Sequence, residues 1–562
     1  MKRSLTNTWF DFIYRLKLSD RILLHLLLGL VLFSLLNFLI DFSDKNTVTI
    51  PVSGGTIREG LIGTPRFINP ILATNQAERD ISALVYSGIL NYNEEGNLVP
   101  DLAGSVEFDD DTKSYFITIR EDANFHDGTK VTAFDVAFTF NLVKNPAINS
   151  PLFSVWENIA IEAQNETDLV IAINTSKEDF DNHLTTGILP QHLWDTPEPE
   201  NIMFNSLNME PIGSGPYKFF SISESRNGSI DHVHLKNKYN NTAVKDLYIV
   251  FFSNQLSLLE ALKNGDIDSA GNLSSQFLGE LDANQFTTDS IVLPRVFNIF
   301  FNQNRSDALR SNEVRTALNL IINRQSIIND AMNSFAVPTE TPIPPTINNV
   351  QFHRTASSEE DFEDILLSAG WEKNEQNTWQ KDDAILALTI RTLDTPQFEN
   401  IANAIAAQWT KAGIEVRVEV FRQTDLLNTI IRPRDFEVLL FGIEISRSNN
   451  LYPFFHSSQQ IDPGLNIAQY ANIQIDNNLD LLQNSSKEER VTALKNILAI
   501  LDEELPLIPI LSPTYNYVYN SEISILLPKQ ISSPHDRFSL IKNWHKEKEE
   551  LWNVFQYKNI TN

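Results

Sequence analysis

Residue types that carry chemistry are sparse in this chain of 562 residues. It has no cysteine, which removes disulfides, thiolate metal sites, a cysteine nucleophile and a lipid-modified cysteine. No His-Glu-x-x-His, Gly-x-Ser-x-Gly or Lys-Ser/Thr phosphate loop occurs, so zinc-protease, serine-hydrolase and nucleotide chemistry lack their usual groups. His232 and His234 follow Asp231. A strand would place both imidazoles on one face, an arrangement open to a metal, although exposed strand histidines give the same spacing. Gly213-Ser-Gly-Pro-Tyr217 is glycine-rich, but it does not open a helix and reads as a turn into a strand. No catalytic residue, cofactor or tight metal site is expected. The net charge of −28 argues against nucleic acid or anionic lipid as the main partner.

The elements that would position a site are those of an α/β protein. The length implies two or three domains or subdomains. Tyr115, Ile117 and Ile119 alternate with polar residues, as a half-buried strand requires. Asp127-Gly128 then supplies a turn, and Thr132 with Asp135 three residues on reads as a capping box. Ala133, Val136, Ala137, Phe140 and Val143 fall on one face of the helix that follows. Residues 312–329 read as a single amphipathic helix. Residues 400–412 read as a helix with Gly413 as its cap, followed by a strand in which Ile414, Val416, Val418 and Val420 alternate. Helix followed by strand points to a partly parallel sheet.

The N-terminus has a different character. Residues 22–40 are almost wholly apolar, close to the ~20 that cross a bilayer. Lys2, Arg3, Arg15, Lys17 and Arg21 precede them, and Asp41 and Asp44 follow, which keeps the basic side cytoplasmic. No small-x-small cleavage site follows, so an uncleaved anchor is expected rather than a removed signal. Residues 41–55 read as a polar tether.

The wording of several segments is more specific than their periodicity. The run 116–140, with Phe125-His-Asp-Gly128 and Thr132-Ala-Phe-Asp-Val136, resembles the signature of the peptide/nickel class (family 5) of solute-binding proteins of ABC importers. Gly63-Thr-Pro-Arg-Phe-Ile-Asn-Pro70, Leu98-Val-Pro-Asp-Leu-Ala103, Gly213-Ser-Gly-Pro-Tyr217 and Gly265-Asp-Ile-Asp268 are similar to further segments of that family, in the same order. The resemblance runs from about residue 56 to 546.

The resemblance implies a two-lobed clamp of the periplasmic-binding type (class II) with an extra inserted domain. The expected division is a cytoplasmic basic segment 1–21, an anchor 22–40, a linker 41–55, lobe I from 56–89, 207–294 and 505–562, an inserted domain 90–206, and lobe II 295–504. Closure of the lobes around a solute would precede docking on a permease. The family's ligand segment follows a strand ending in Gly, here Gly442. Oligopeptide binders carry Trp next, then an Asp that pairs with the peptide's α-ammonium; this chain has Ile443 and Ser446 in those places, with Glu444 as the nearest acid. By the same analogy Tyr452, Phe153, Trp156, Arg295 and Phe297 are expected near the ligand.

The implied function is capture of an oligopeptide or similar small solute outside the cytoplasm, and delivery to the permease and ATPase of an ABC importer. A clamp kept as a sensor or scaffold, and a metal-chelate (nickel-type) carrier, are the alternatives.

Overall fold

The computed structural model describes residues 17–552, apart from 53, 175–176, 196–198, 227, 239–243, 346–358, 446–449 and 485–486. Alternating apolar residues build one long twisted sheet. From one edge its strands are Glu415–Phe421, Ala387–Leu393, Val438–Glu444, Arg295–Phe301, Leu507–Asn520, Ser269–Gly271, Thr56–Ile62, Asp246–Phe252, Ile230–Asn237 and Tyr217–Glu224. Parallel pairs (387–393 with 415–421, 56–62 with 246–252) mix with antiparallel ones.

The middle strand, Leu507–Asn520, joins two apolar cores. Its first half pairs with Arg295–Phe301, and its second half with Phe286–Val292. Leu507, Ile508, Ile510 and Leu511 face cores built from residues 297–511, whereas Tyr515, Tyr517 and Tyr519 join a core built from 57–291 and 515–544. The chain therefore passes between the two cores as two adjacent extended segments, at 292–295 and 511–514.

A separate four-stranded antiparallel sheet (Ala103–Asp109, Ser114–Ile119, Asp168–Ala172, Ala160–Ala163) lies within the segment expected to be an insertion. Its buried residues, including Tyr115, Ile117 and Ile171, are continuous with the first core. Helix Ala133–Val143 starts at Thr132 as the sequence suggests. The Thr132 hydroxyl accepts from the Asp135 amide, while the Asp135 carboxylate accepts from Thr132 and also from the Gln191 amide at 2.8 Å.

Two expectations are corrected. The helix expected over 312–329 is two helices, Asn312–Leu320 and Arg324–Met332. The Asn323 side chain accepts from the Ser326 amide and caps a new helix, which ends the first one. The tether expected at 41–55 is largely ordered secondary structure. A 29-residue helix, Leu18–Asn46, runs directly into strand Thr47–Pro51, which pairs antiparallel with Lys548–Trp552 near the far end of the chain.

The expected anchor at 22–40 falls inside helix Leu18–Asn46. Leu23, Leu26, Val31, Phe33 and Leu36 are exposed there. Among the described residues no helix is long and apolar enough to cross a membrane, so the structure shows the helix but not the span expected at 22–40.

Candidate functional site

The two strands that meet at the passage between cores carry four of the expected site residues. Arg295 opens its strand and Glu444 ends the neighbouring one; they are directly opposed, and Phe297 opposes Gly442 two residues further in. Arg295 Nη2 donates to Glu444 Oε2 at 2.6 Å. Both side chains stand in solvent, 44% and 53% exposed. The Ile445 amide donates to the Pro294 carbonyl at 3.0 Å, which closes the ladder beside the passage.

Gly442 is bare for a reason of space. A Cβ there would lie 3.0 Å from the Phe297 ring and 3.5 Å from the Arg295 side chain. Phe297 itself is buried and packs on Phe398, with ring centroids 4.5 Å apart. It is part of the second core, packed away from solvent.

Tyr452 opens a short helix, Tyr452–Phe455, and stacks on His456 at 4.1 Å. It is half-buried. Ser446 lies outside the described residues. Phe153 and Trp156 share the short helix Phe153–Trp156. Trp156 is fully buried, stacked on Phe140 at 3.6 Å and edge-on to Phe180 at 4.9 Å. The aromatic wall expected of Trp156 is thus core packing in this conformation; Phe153 is half-buried beside it.

Two further polar arrangements organise the first core, and neither was evident in the sequence. Arg537 is buried and donates to Glu59 at 2.9 Å and Asp80 at 2.7 Å. Tyr517 Oη donates to the same Glu59 at 2.6 Å. Four elements, from two regions of the chain more than four hundred residues apart, meet in this cluster, and removing the arginine would leave two carboxylates without compensation. In the second arrangement, the imidazole of His126 bridges two backbone groups. Nε2 lies 3.0 Å from the Gly215 carbonyl and Nδ1 accepts from the Gly213 amide at 3.3 Å. Burial pushes this imidazole down to about 4 from 6.5, only partly offset by the Gly215 carbonyl. The Phe125–Gly128 and Gly213–Tyr217 segments, matched separately to one family, therefore lock onto each other.

The histidine pair on strand Ile230–Asn237 has carboxylate partners of its own. His232 lies 3.0 Å from Asp231, and His234 lies 2.7 Å from Asp246 and stacks on Tyr248. Among the described residues no group of three or more His, Cys, Asp or Glu is placed to hold a metal ion.

Comparison with known proteins agrees with this architecture. Residues 97–462 match the family described as bacterial extracellular solute-binding proteins, family 5 Middle. The oligopeptide-binding protein AppA of Bacillus subtilis (strain 168) is 24% identical over 523 residues, spanning 89% of this chain and 94% of that protein. The structure of AppA with a nonapeptide superposes with a TM-score of 0.64 at 23% identity, covering 88% of this chain and 99% of AppA. NikZ from Campylobacter jejuni, in complex with Ni(L-His), superposes with a TM-score of 0.65 at 26% identity, covering 87% and 99%. A two-core α/β fold joined by paired extended strands, with a family match across its middle, leads to one conclusion: this chain belongs to the bacterial extracellular solute-binding proteins of family 5.

Proposed function

We propose that the chain captures short peptides or similar small solutes outside the cytoplasm and hands them to the permease and ATPase of an ABC importer, without changing them chemically. The observation that carries this reading is the pair of adjacent extended segments, 292–295 and 511–514, between the two cores. Such a joint lets two rigid bodies close on a guest, and a solute favours closure by the contacts it makes only in the closed state. The residues proposed to meet the solute are Arg295, Glu444, Gly442 and Tyr452, with Ser446 and Phe153 beside them. The division into lobe I, an inserted domain and lobe II is part of the same reading. So is an anchor formed by helix Leu18–Asn46, whose exposed leucines and phenylalanines suit lipid better than water.

The test is mass spectrometry of solute retained by protein purified from the producing cells, with small-angle scattering before and after adding that solute. A retained peptide and a smaller radius of gyration with it are expected. A cleaved guest, or an unchanged profile with every retained solute, overturns the proposal. The likeness to NikZ favours a metal–amino acid chelate as a second reading; stoichiometric nickel in the purified protein, without peptide, would select it.

A further inference from the structure

Phe335 belongs to one core by its backbone and to the other by its ring. Helix Arg324–Met332 ends in two successive residues with positive φ, Asn333 at +46° and Ser334 at +68°, a region that residues other than glycine seldom enter. The turn is pinned to its helix. The Asn333 and Ser334 amides both donate to the Ile328 carbonyl, and Ser334 Oγ donates to Asn329 Oδ1 at 3.1 Å. The turn parts close neighbours in the chain. Met332 and Ala336 pack in the second core, whereas Phe335 packs on a satellite beside the first core, the cluster that contains Leu258, Leu262, Leu273 and Val518. The crossing lies directly beside the passage between the cores. Residues Ala336–Pro338 pair antiparallel with 511–513, and Thr514 Oγ1 donates to the Phe335 carbonyl at 3.0 Å. Rotation about 292–295 and 511–514 therefore carries the helix with one core and the seat of the ring with the other.

We propose that Phe335 is a latch on the clamp: a ring borne by the second lobe and seated in the first, which holds the lobes apart until a solute draws them together. The proposal rests on the capture reading above, and it assigns the residue that sets the resting balance between open and closed forms. In this arrangement Arg295 and Glu444 are 44% and 53% exposed, so the face proposed to meet the solute is open to water. Closing the lobes draws the ring off its seat and returns apolar surface to water, which disfavours closure. The closed form is then rare without solute, and a solute must offset the unseating of the ring with contacts made only on closure. An empty clamp is thereby kept from resembling a loaded one.

The experiment exploits the lack of cysteine in the chain. Asp231→Cys and Glu415→Cys, at exposed positions near opposite edges of the long sheet, carry a pair of spin labels. Their separation in the full chain is read by pulsed electron paramagnetic resonance without added solute. The labelled parent is expected to show one main distance. Phe335→Ala should raise the population at a second, shorter distance about tenfold, less than full burial of a phenylalanine would give. Phe335→Leu should raise it by a smaller factor. Phe277→Ala is the control, because that ring packs on the same satellite core but is carried by the first lobe itself. It should lower the melting temperature and leave the distance unchanged. A distance indifferent to Phe335→Ala, or moved equally by Phe277→Ala, overturns the latch and leaves solute capture standing, since retention of solute does not depend on it. No retained solute and no compaction with any would overturn the capture reading, and the latch with it.

Discussion

At the scale of single residues, His126 shows how a polar side chain can fasten two segments together. It is uncharged where it sits, donating to one backbone carbonyl and accepting from one amide. Its folded pKa of about 4 lies below its ordinary 6.5. The unfolded chain therefore binds the extra proton first. The stabilisation is fully present above pH 6.5 and is lost as pH falls from 6.5 towards about 4. The difference amounts to about 3 kcal/mol. Denaturant titrations at pH 7 and pH 4.5 should show this loss in the wild type and a clearly smaller one in His126→Gln; parallel pH dependences would remove His126 from the account. Nothing around His126 in the sequence announces the role, because both of its partners lie some ninety residues downstream. A separation of 149 residues likewise hid the match of Arg295 with Glu444. Alternation within each strand places a residue on a face, but it does not say which strand comes to lie beside it.

At the scale of elements, local signals were legible and long-range ones were not. Thr132 and Asp135 define a helix start because every bond in the capping box lies within one turn. Asn323 carries an equally local signal, but the apolar periodicity of 312–329 runs through it and masks the break. The long strand Leu507–Asn520 contains Pro509 and Pro513. Proline lacks a ladder donor and argues against an interior strand, so the sequence suggests two pieces where the fold has one. Close approach is also unreadable from pattern. At Gly213 an added Cβ would lie 2.1 Å from the Val85 carbonyl oxygen, whereas at Gly104 the nearest atom is 3.7 Å away. Gly213→Ala should therefore lower stability by about 2 kcal/mol or more, through backbone displacement. Gly104→Ala should stay within ~0.5 kcal/mol. Equal denaturation midpoints for the two variants would contradict the packing described between the turn 213–217 and helix Gln76–Val85.

At the scale of the whole molecule, the α/β class and the family were legible, since several segments in order resembled one family. What composition concealed was the meeting of the chain's two ends. Strand Thr47–Pro51 reads as polar linker because its partner, Lys548–Trp552, lies about five hundred residues away. A two-stranded ribbon is marginal alone. Here it is continued into the globule: the Val52 amide donates to the Glu547 carbonyl at 3.2 Å, and Lys546 Nζ donates to the Thr56 carbonyl and pairs with Asp268. Deleting 548–562 should speed amide exchange at 47–51 by orders of magnitude, because those bonds would be lost, while the melting of the two cores stays unchanged. Unaltered exchange would show that the ribbon does not hold the segment.

The ribbon has a mechanical meaning if the helix before it is held in lipid. Five residues of strand make a post ~16 Å tall, and a doubled post resists bending as a single strand does not. The mouth between the lobes would then stand at one height and one tilt above its base. A captor on a leash must find its receiver by wandering; one on a post meets it at a preset angle, at a local concentration fixed by the architecture.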